Sequence, residues 1–251
     1  MIKEAIQYLK NLEIKPEDRI IEFGGDDRFF TVDHDGNVGT IKPWSVKAQE
    51  ALALRTLTGL IDYVKANTDM SRDMKNTHYY LHIANPALVK LLGTLADDGE
   101  REVLALTAPF LPDFDFGYFR DSEEMIIALQ SKFVKTKDRD IVLQVLGNLV
   151  EESVKNTGDD GISQSVVMRQ GITSREETKV PNPVTLAPYR TFIEVMQPES
   201  KFIFRMKEGP KAAIFEADGG AWRNEAIANI KVFLTEHLSG EIENGKITIL
   251  A

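Results

Sequence analysis

Near the end of the chain Ala226, Ile227, Ile230, Phe233, Leu234 and His237 recur in steps of three and four, the clearest apolar stripe in the sequence. A segment with that period, over residues 221–238, is expected to form a helix with one face on a core, stopped by Gly240. The residues before it alternate instead. In Phe202-Ile203-Phe204-Arg205-Met206 the alternation sends Phe202, Phe204 and Met206 inward and Arg205 outward. Residues 166–168, 191–196, 201–206 and 213–215 read as strands, with Gln197-Pro198-Glu199-Ser200 as a turn between two of them. Residues 247–250 add a last strand.

The earlier chain reads differently. Residues 2–12 form a short amphipathic helix. Phe29 to Val32 and Val38 to Ile41 flank Asp33-His34-Asp35-Gly36-Asn37 as a hairpin. Pro43 opens a long helix to about residue 66, with Leu54, Leu57, Leu60, Ile61 and Val64 on its inner face. Residues 67–77 form a polar loop, 77–83 a strand and 102–108 another. Asn85-Pro86 resembles a helix cap followed by proline at the first helical position, so residues 85–95 are expected to be helical. Asp121 and Glu124 have capping-box spacing before a fourth helix, and a fifth follows over 138–154. The expected class is α+β, helix-rich in the first two thirds. An antiparallel or mixed sheet and the amphipathic helix fill the last third.

Composition narrows the function. The 251 residues contain no cysteine, which excludes disulfides, thiolate metal centres and thiol nucleophiles. The length suits one domain over 1–251, with subregions 1–157 and 158–251. No run approaches eighteen apolar residues, and Glu4 interrupts the place where a signal peptide would build its apolar core, so a cytoplasmic protein is expected. A net charge of −9 argues against general binding to nucleic acid or to an anionic membrane. That charge is uneven. Residues 93–160 carry seven basic and fifteen acidic side chains, a balance of −8; residues 164–211 carry eight and five, a balance of +3. Opposite patches of this kind can orient one copy against another, or can simply be solvated surface.

Motifs for phosphate loops, dinucleotide folds, zinc proteases and serine hydrolases are missing. Asp115-Phe116-Gly117 lacks the partners of a kinase tripeptide, and residues 33–37 lack the glycine and glutamate positions of a calcium loop. His78 and His82 share a strand face and read either as half-buried sheet residues or as metal ligands awaiting an acid. The richest cluster is acidic. If the loops around Asp159, Asp160, Glu216 and Asp218 met, their carboxylates would hold Mg²⁺ or Mn²⁺ for phosphoester hydrolysis; otherwise Asp218 and the adjacent glycines cap and turn. Gly219 and Gly220 before a helix, with Arg169, Arg190 and Arg205, form the alternative site for an anion or a partner. Arg169, Arg190, Arg205 and Lys207 lie amid Tyr189, Phe192, Phe202 and Phe204, which suits either base stacking or plain core packing.

The runs Asp159-Asp160-Gly161-Ile162-Ser163-Gln164, Pro181-Asn182-Pro183-Val184, Leu186-Ala187-Pro188-Tyr189-Arg190-Thr191-Phe192, Gln197-Pro198-Glu199-Ser200 and Glu216-Ala217-Asp218-Gly219-Gly220-Ala221-Trp222 resemble phage and prophage proteins of unknown function, distantly the YfdQ-type prophage family. The resemblance covers roughly residues 50–235 and is strongest over 159–223. It carries no catalytic motif and assigns no site residue. It implies an accessory role, such as interfering with host defence or supporting recombination. The expectation is a non-catalytic homo-oligomer without a cofactor, acting on itself, a host protein or a small nucleotide. The alternatives are a metal-dependent phosphoesterase or nuclease, a binder of a small anionic nucleotide, and a virion shell component.

Overall fold

The computed structural model describes residues 20–22, 29–32, 37–41, 48, 50–67, 69–70, 78–96, 99–148, 165–170, 174–179, 181–207, 209 and 211–251. The chain divides into two compact units, Met1–Gln49 with Leu95–Glu102, and Glu50–Thr94 with Val103–Ala251. In the first unit β1 (Ile20–Glu22), β2 (Phe29–Val32) and β3 (Val38–Ile41) form an antiparallel sheet in that order. The β2–β3 pairing runs from Phe29↔Ile41 to Val32↔Val38, the hairpin that the turn formers lead one to expect. The helix expected over 2–12 lies outside the described residues.

The second unit builds two helix-on-sheet layers. The first rests on β4 (Leu52–Leu54), helix α1 (Leu57–Ala66), β5 (Tyr79–Asn85), β6 (Leu88–Leu95) and β7 (Arg101–Thr107). The second opens with β8 (Arg120–Asp121), α2 (Ser122–Lys132) and α3 (Lys137–Gly147). A hairpin of β9 (Ser165–Gln170) and β10 (Ser174–Lys179) follows, then β11 (Val184–Leu186), β12 (Ser200–Lys207) and β13 (Lys211–Glu216). The chain returns to the first layer with α4 (Trp222–His237), α5 (Ser239–Glu243) and β14 (Ile247–Leu250). The strand orders are β14-β5-β6-β7-β4 and β11-β12-β13-β8.

Each sheet buries one side under helices, because its strands alternate. Tyr79, Leu81 and Ile83 of β5 meet Leu57, Leu60 and Val64 of α1 and Ile230 and Leu234 of α4 in one core. Phe202, Phe204 and Met206 of β12 meet Met125 and Leu129 of α2 and Val142 and Val145 of α3 in the other.

The architecture is α+β, and the expected layout is overturned: strands run throughout the chain, seven of them among the described residues ending before residue 108, so the first two thirds are not helix-rich. Two local choices explain the error. Asn85 does not cap a helix; its Oδ1 accepts the Ala87 N–H at 2.8 Å, and the chain turns into β6 opposite β5. The 43–66 helix also begins late. Thr56 has extended backbone, its hydroxyl accepts the Gly59 N–H at 3.0 Å, and β4 before it pairs in parallel with β7. Residues 191–196, expected as a strand, form an irregular loop. Gly240, the expected stop, lies inside α5.

Candidate functional site

Where β13 ends, two glycines set the geometry. Gly219 and Gly220 take φ of 62° and 81°, left-handed values that cost other residues about 1–2 kcal/mol. The reversal brings backbone N–H groups back onto Asp218. Gly220 N donates to Oδ1 at 3.0 Å, and Trp222 N donates to Oδ2 at 3.4 Å. Asp218 therefore satisfies the open end of α4. Burial alone would raise its pKa. The Gly220 N–H, the Ser200 hydroxyl, the Trp222 N–H and the Arg190 charge together outweigh that effect and hold the carboxyl below its ordinary 3.8.

Arg190 fills the centre. Its side chain is only 8% exposed. Nη1 donates to Glu216 Oε1 at 3.0 Å, Nη2 donates to the Ser200 hydroxyl, and the guanidinium lies 4.0 Å from the Trp222 ring centroid. Burial lowers its pKa from the ordinary guanidinium range to about 10, against the raising pull of Glu216 and Asp218. It stays cationic at neutral pH. Its Nε and the Trp222 Nε1 are buried without a hydrogen-bond partner among the described residues, which subtracts from what the ion pair contributes.

This arrangement joins candidates that the sequence assigns to different sites. Arg190, a candidate anion binder, is the ion-pair partner of Glu216, a candidate metal ligand, so each reduces the other's charge toward a third party. Asp218 spends its oxygens on the helix end, and its Oδ1 holds the Gly220 N–H that an anion would need. Arg205 is not brought to Arg190. It sits on β12 five residues beyond Ser200, about 17 Å along the strand, and by alternation on the opposite side of the sheet. Asp159 and Asp160, and the side chain of Arg169, lie outside the described residues. Among those described, no three potential ligands gather as a metal site. An open hollow of about 290 Å³ beside Trp222 is rimmed by Glu199, Asp218, Glu225 and Lys201, three carboxylates to one ammonium, which weighs against a phosphate there.

The other candidates find structural roles. His78 and His82 stand four residues apart along β5 and its approach, about 13 Å, too far for one ion; His78 lies edge-on to Tyr80 and shares a 2.6 Å hydrogen bond with the Gly245 carbonyl. His237 is exposed rather than in the core, bonded to the Phe233 carbonyl at 2.8 Å. In the 115–117 tripeptide Asp115 pairs with Arg120, Phe116 stacks on Phe202 and Gly117 N donates to the Ile214 carbonyl.

Sequence reading misses the loop that Arg190 begins. Its polar groups face inward. The buried Gln197 side chain accepts the Arg190 and Thr191 N–H groups at 3.0 and 3.2 Å and donates to the Phe192 and Val195 carbonyls at 2.9 and 3.2 Å. Glu194 accepts the Leu57 and Thr58 N–H groups at the start of α1, at 3.0 and 2.7 Å. Thr191 donates to the Pro86 carbonyl, and Asn229 of α4 donates to that of Met196. Phe192 and Val195 plug the first core. Ile193 and Met196 are left pointing out, 76% and 74% exposed. The signal was Glu194 and Gln197 set among apolar residues, polar where a half-buried strand would not need them. No family model, curated protein or solved structure matches the chain.

Proposed function

We propose that this protein is a non-catalytic phage or prophage accessory protein that works by self-association, through the apolar tip formed by Ile193 and Met196. The observation behind the reading is that tip: two large apolar side chains held in water by a loop whose carboxylate, carboxamide and hydroxyl groups are bonded inward. Exposed apolar residues are common singly; a pair on a braced loop has already lost the freedom that association would remove. Val232 extends the surface. It is 56% exposed and one helical turn beyond Asn229, which holds Met196. A two-fold pairing would set this surface against its own copy.

The Arg190 cluster supports the same reading from the other side. Its carboxylates are neutralised or capping, and it braces the base of the loop, so the reading invokes no cofactor. Phage or prophage origin, and with it a role in host-defence interference or recombination support in the host cytoplasm, rests on the sequence resemblance over residues 159–223. Among the described residues no helix is long and apolar enough to cross a membrane.

The test is sedimentation velocity on wild type and on Ile193→Asp with Met196→Asp. The reading expects a concentration-dependent oligomer for wild type and a folded monomer for the double variant. Equal sedimentation of the two would refute it.

A further inference from the structure

The outward side of the four-stranded sheet has a different chemistry from the rest of the chain. With Phe202, Phe204 and Met206 facing the core, the alternation of β12 turns Lys201, Ile203, Arg205 and Lys207 outward. The register places Phe215 beside Ile203, Ala213 beside Arg205 and Lys211 beside Lys207. Phe119, next to β8, meets Phe215 edge to face at 6.2 Å, and Lys207 Nζ sits 3.9 Å from the Phe119 ring centroid. Lys207, Lys211 and two rings thus lie together on one side of a sheet in a chain of net charge −9, with Asp121 3.8 Å from Lys211. Lys207 and Lys211 stand directly opposite each other, a placement that costs a hairpin stability. An anionic partner would reverse that cost.

We propose that this sheet face binds single-stranded nucleic acid. Lys207 and Lys211 would take phosphates, while Phe119 and Phe215 take bases. The two ammonium groups facing each other across the hairpin choose a polyanion over a single charge. The rings choose the single strand, because a duplex keeps its base faces stacked and out of reach. Lys207 now covers the Phe119 face, and its move to a phosphate would free the ring for a base. The net charge that argues against general nucleic-acid binding still holds for the rest of the surface, so the interaction should be confined to this face and salt-sensitive.

Fluorescence anisotropy of a labelled oligothymidine of roughly 12 nucleotides tests this on the full chain. Saturable binding at low salt is expected, weakening roughly sevenfold between about 50 and about 200 mM salt if two phosphates are neutralised. Lys207→Glu with Lys211→Glu, both exposed and outside the cores, should weaken binding at least about tenfold with the unfolding midpoint unchanged. Phe119→Leu, which alters no charge, should weaken it several-fold, and a duplex of equal length should bind less well than the single strand. The proposal is overturned by no saturable binding at low salt, by undiminished binding in the double lysine variant or in Phe119→Leu, or by a duplex that binds as well.

Discussion

Arg190 shows how one side chain can decide what its neighbours do. A guanidinium 8% exposed, shared between Glu216, Ser200 and the Trp222 face, turns an acidic loop from a candidate metal cradle into a brace. Arg190→Ala should cost about 2 kcal/mol of stability in urea unfolding. The figure lies below that for a fully buried pair because Glu216 can still reach water. Arg190→Lys should recover only part of it, since an ammonium keeps the charge and loses the fork and the stack. Asp218 supplies the pH dependence. Its folded pKa lies below the unfolded one, so its stabilising contribution is fully present above about pH 4 and is lost as pH falls through the folded value. Urea midpoints followed downward from about pH 5 should fall less steeply for Asp218→Asn than for wild type. Equal slopes would place the depressed pKa elsewhere.

At the scale of elements, the loop over residues 189–199 is the part most open to test. Gln197→Leu leaves the Arg190 and Thr191 N–H groups and the Phe192 and Val195 carbonyls without their partner, and should cost about 2–3 kcal/mol by thermal or urea unfolding. Glu194→Ala should cost about 1 kcal/mol through the start of α1. The same elements show what a sequence can disclose. The α4 stripe, the β12 alternation and the β2–β3 hairpin were legible because period and turn chemistry agree. β6 was not. Asn-Pro serves a helix cap and a tight turn equally, and its choice here depends on β5 lying alongside, a non-local pairing. The 191–196 loop failed for a related reason: Ile193 and Val195 imitate a strand, while the bonds that shape the loop run to residues 57, 58 and 86. In the candidate site, Asp218 and its glycines could be read as a cap from local spacing, whereas the pairing of Arg190 with Glu216 spans 26 residues and could not.

For the whole molecule, two layers inside one unit share the segment that carries the candidate site. Residues 187–189 pair with the end of α2, and three residues further on Phe192 enters the other core. Such a segment is hard to move, and rigidity is what an adhesive surface needs and a lid does not. Charge at this scale sets a condition on the proposed self-association: with −9 on each copy, it would have to come from apolar burial at the tip, and added salt should strengthen it rather than weaken it. The most direct measurement is the solution mass of the wild-type chain by light scattering at micromolar concentration. The account predicts a multiple of 28.2 kDa that rises or holds with salt and collapses to a single chain when Ile193 and Met196 are both changed to aspartate. A wild-type mass of one chain throughout would contradict it.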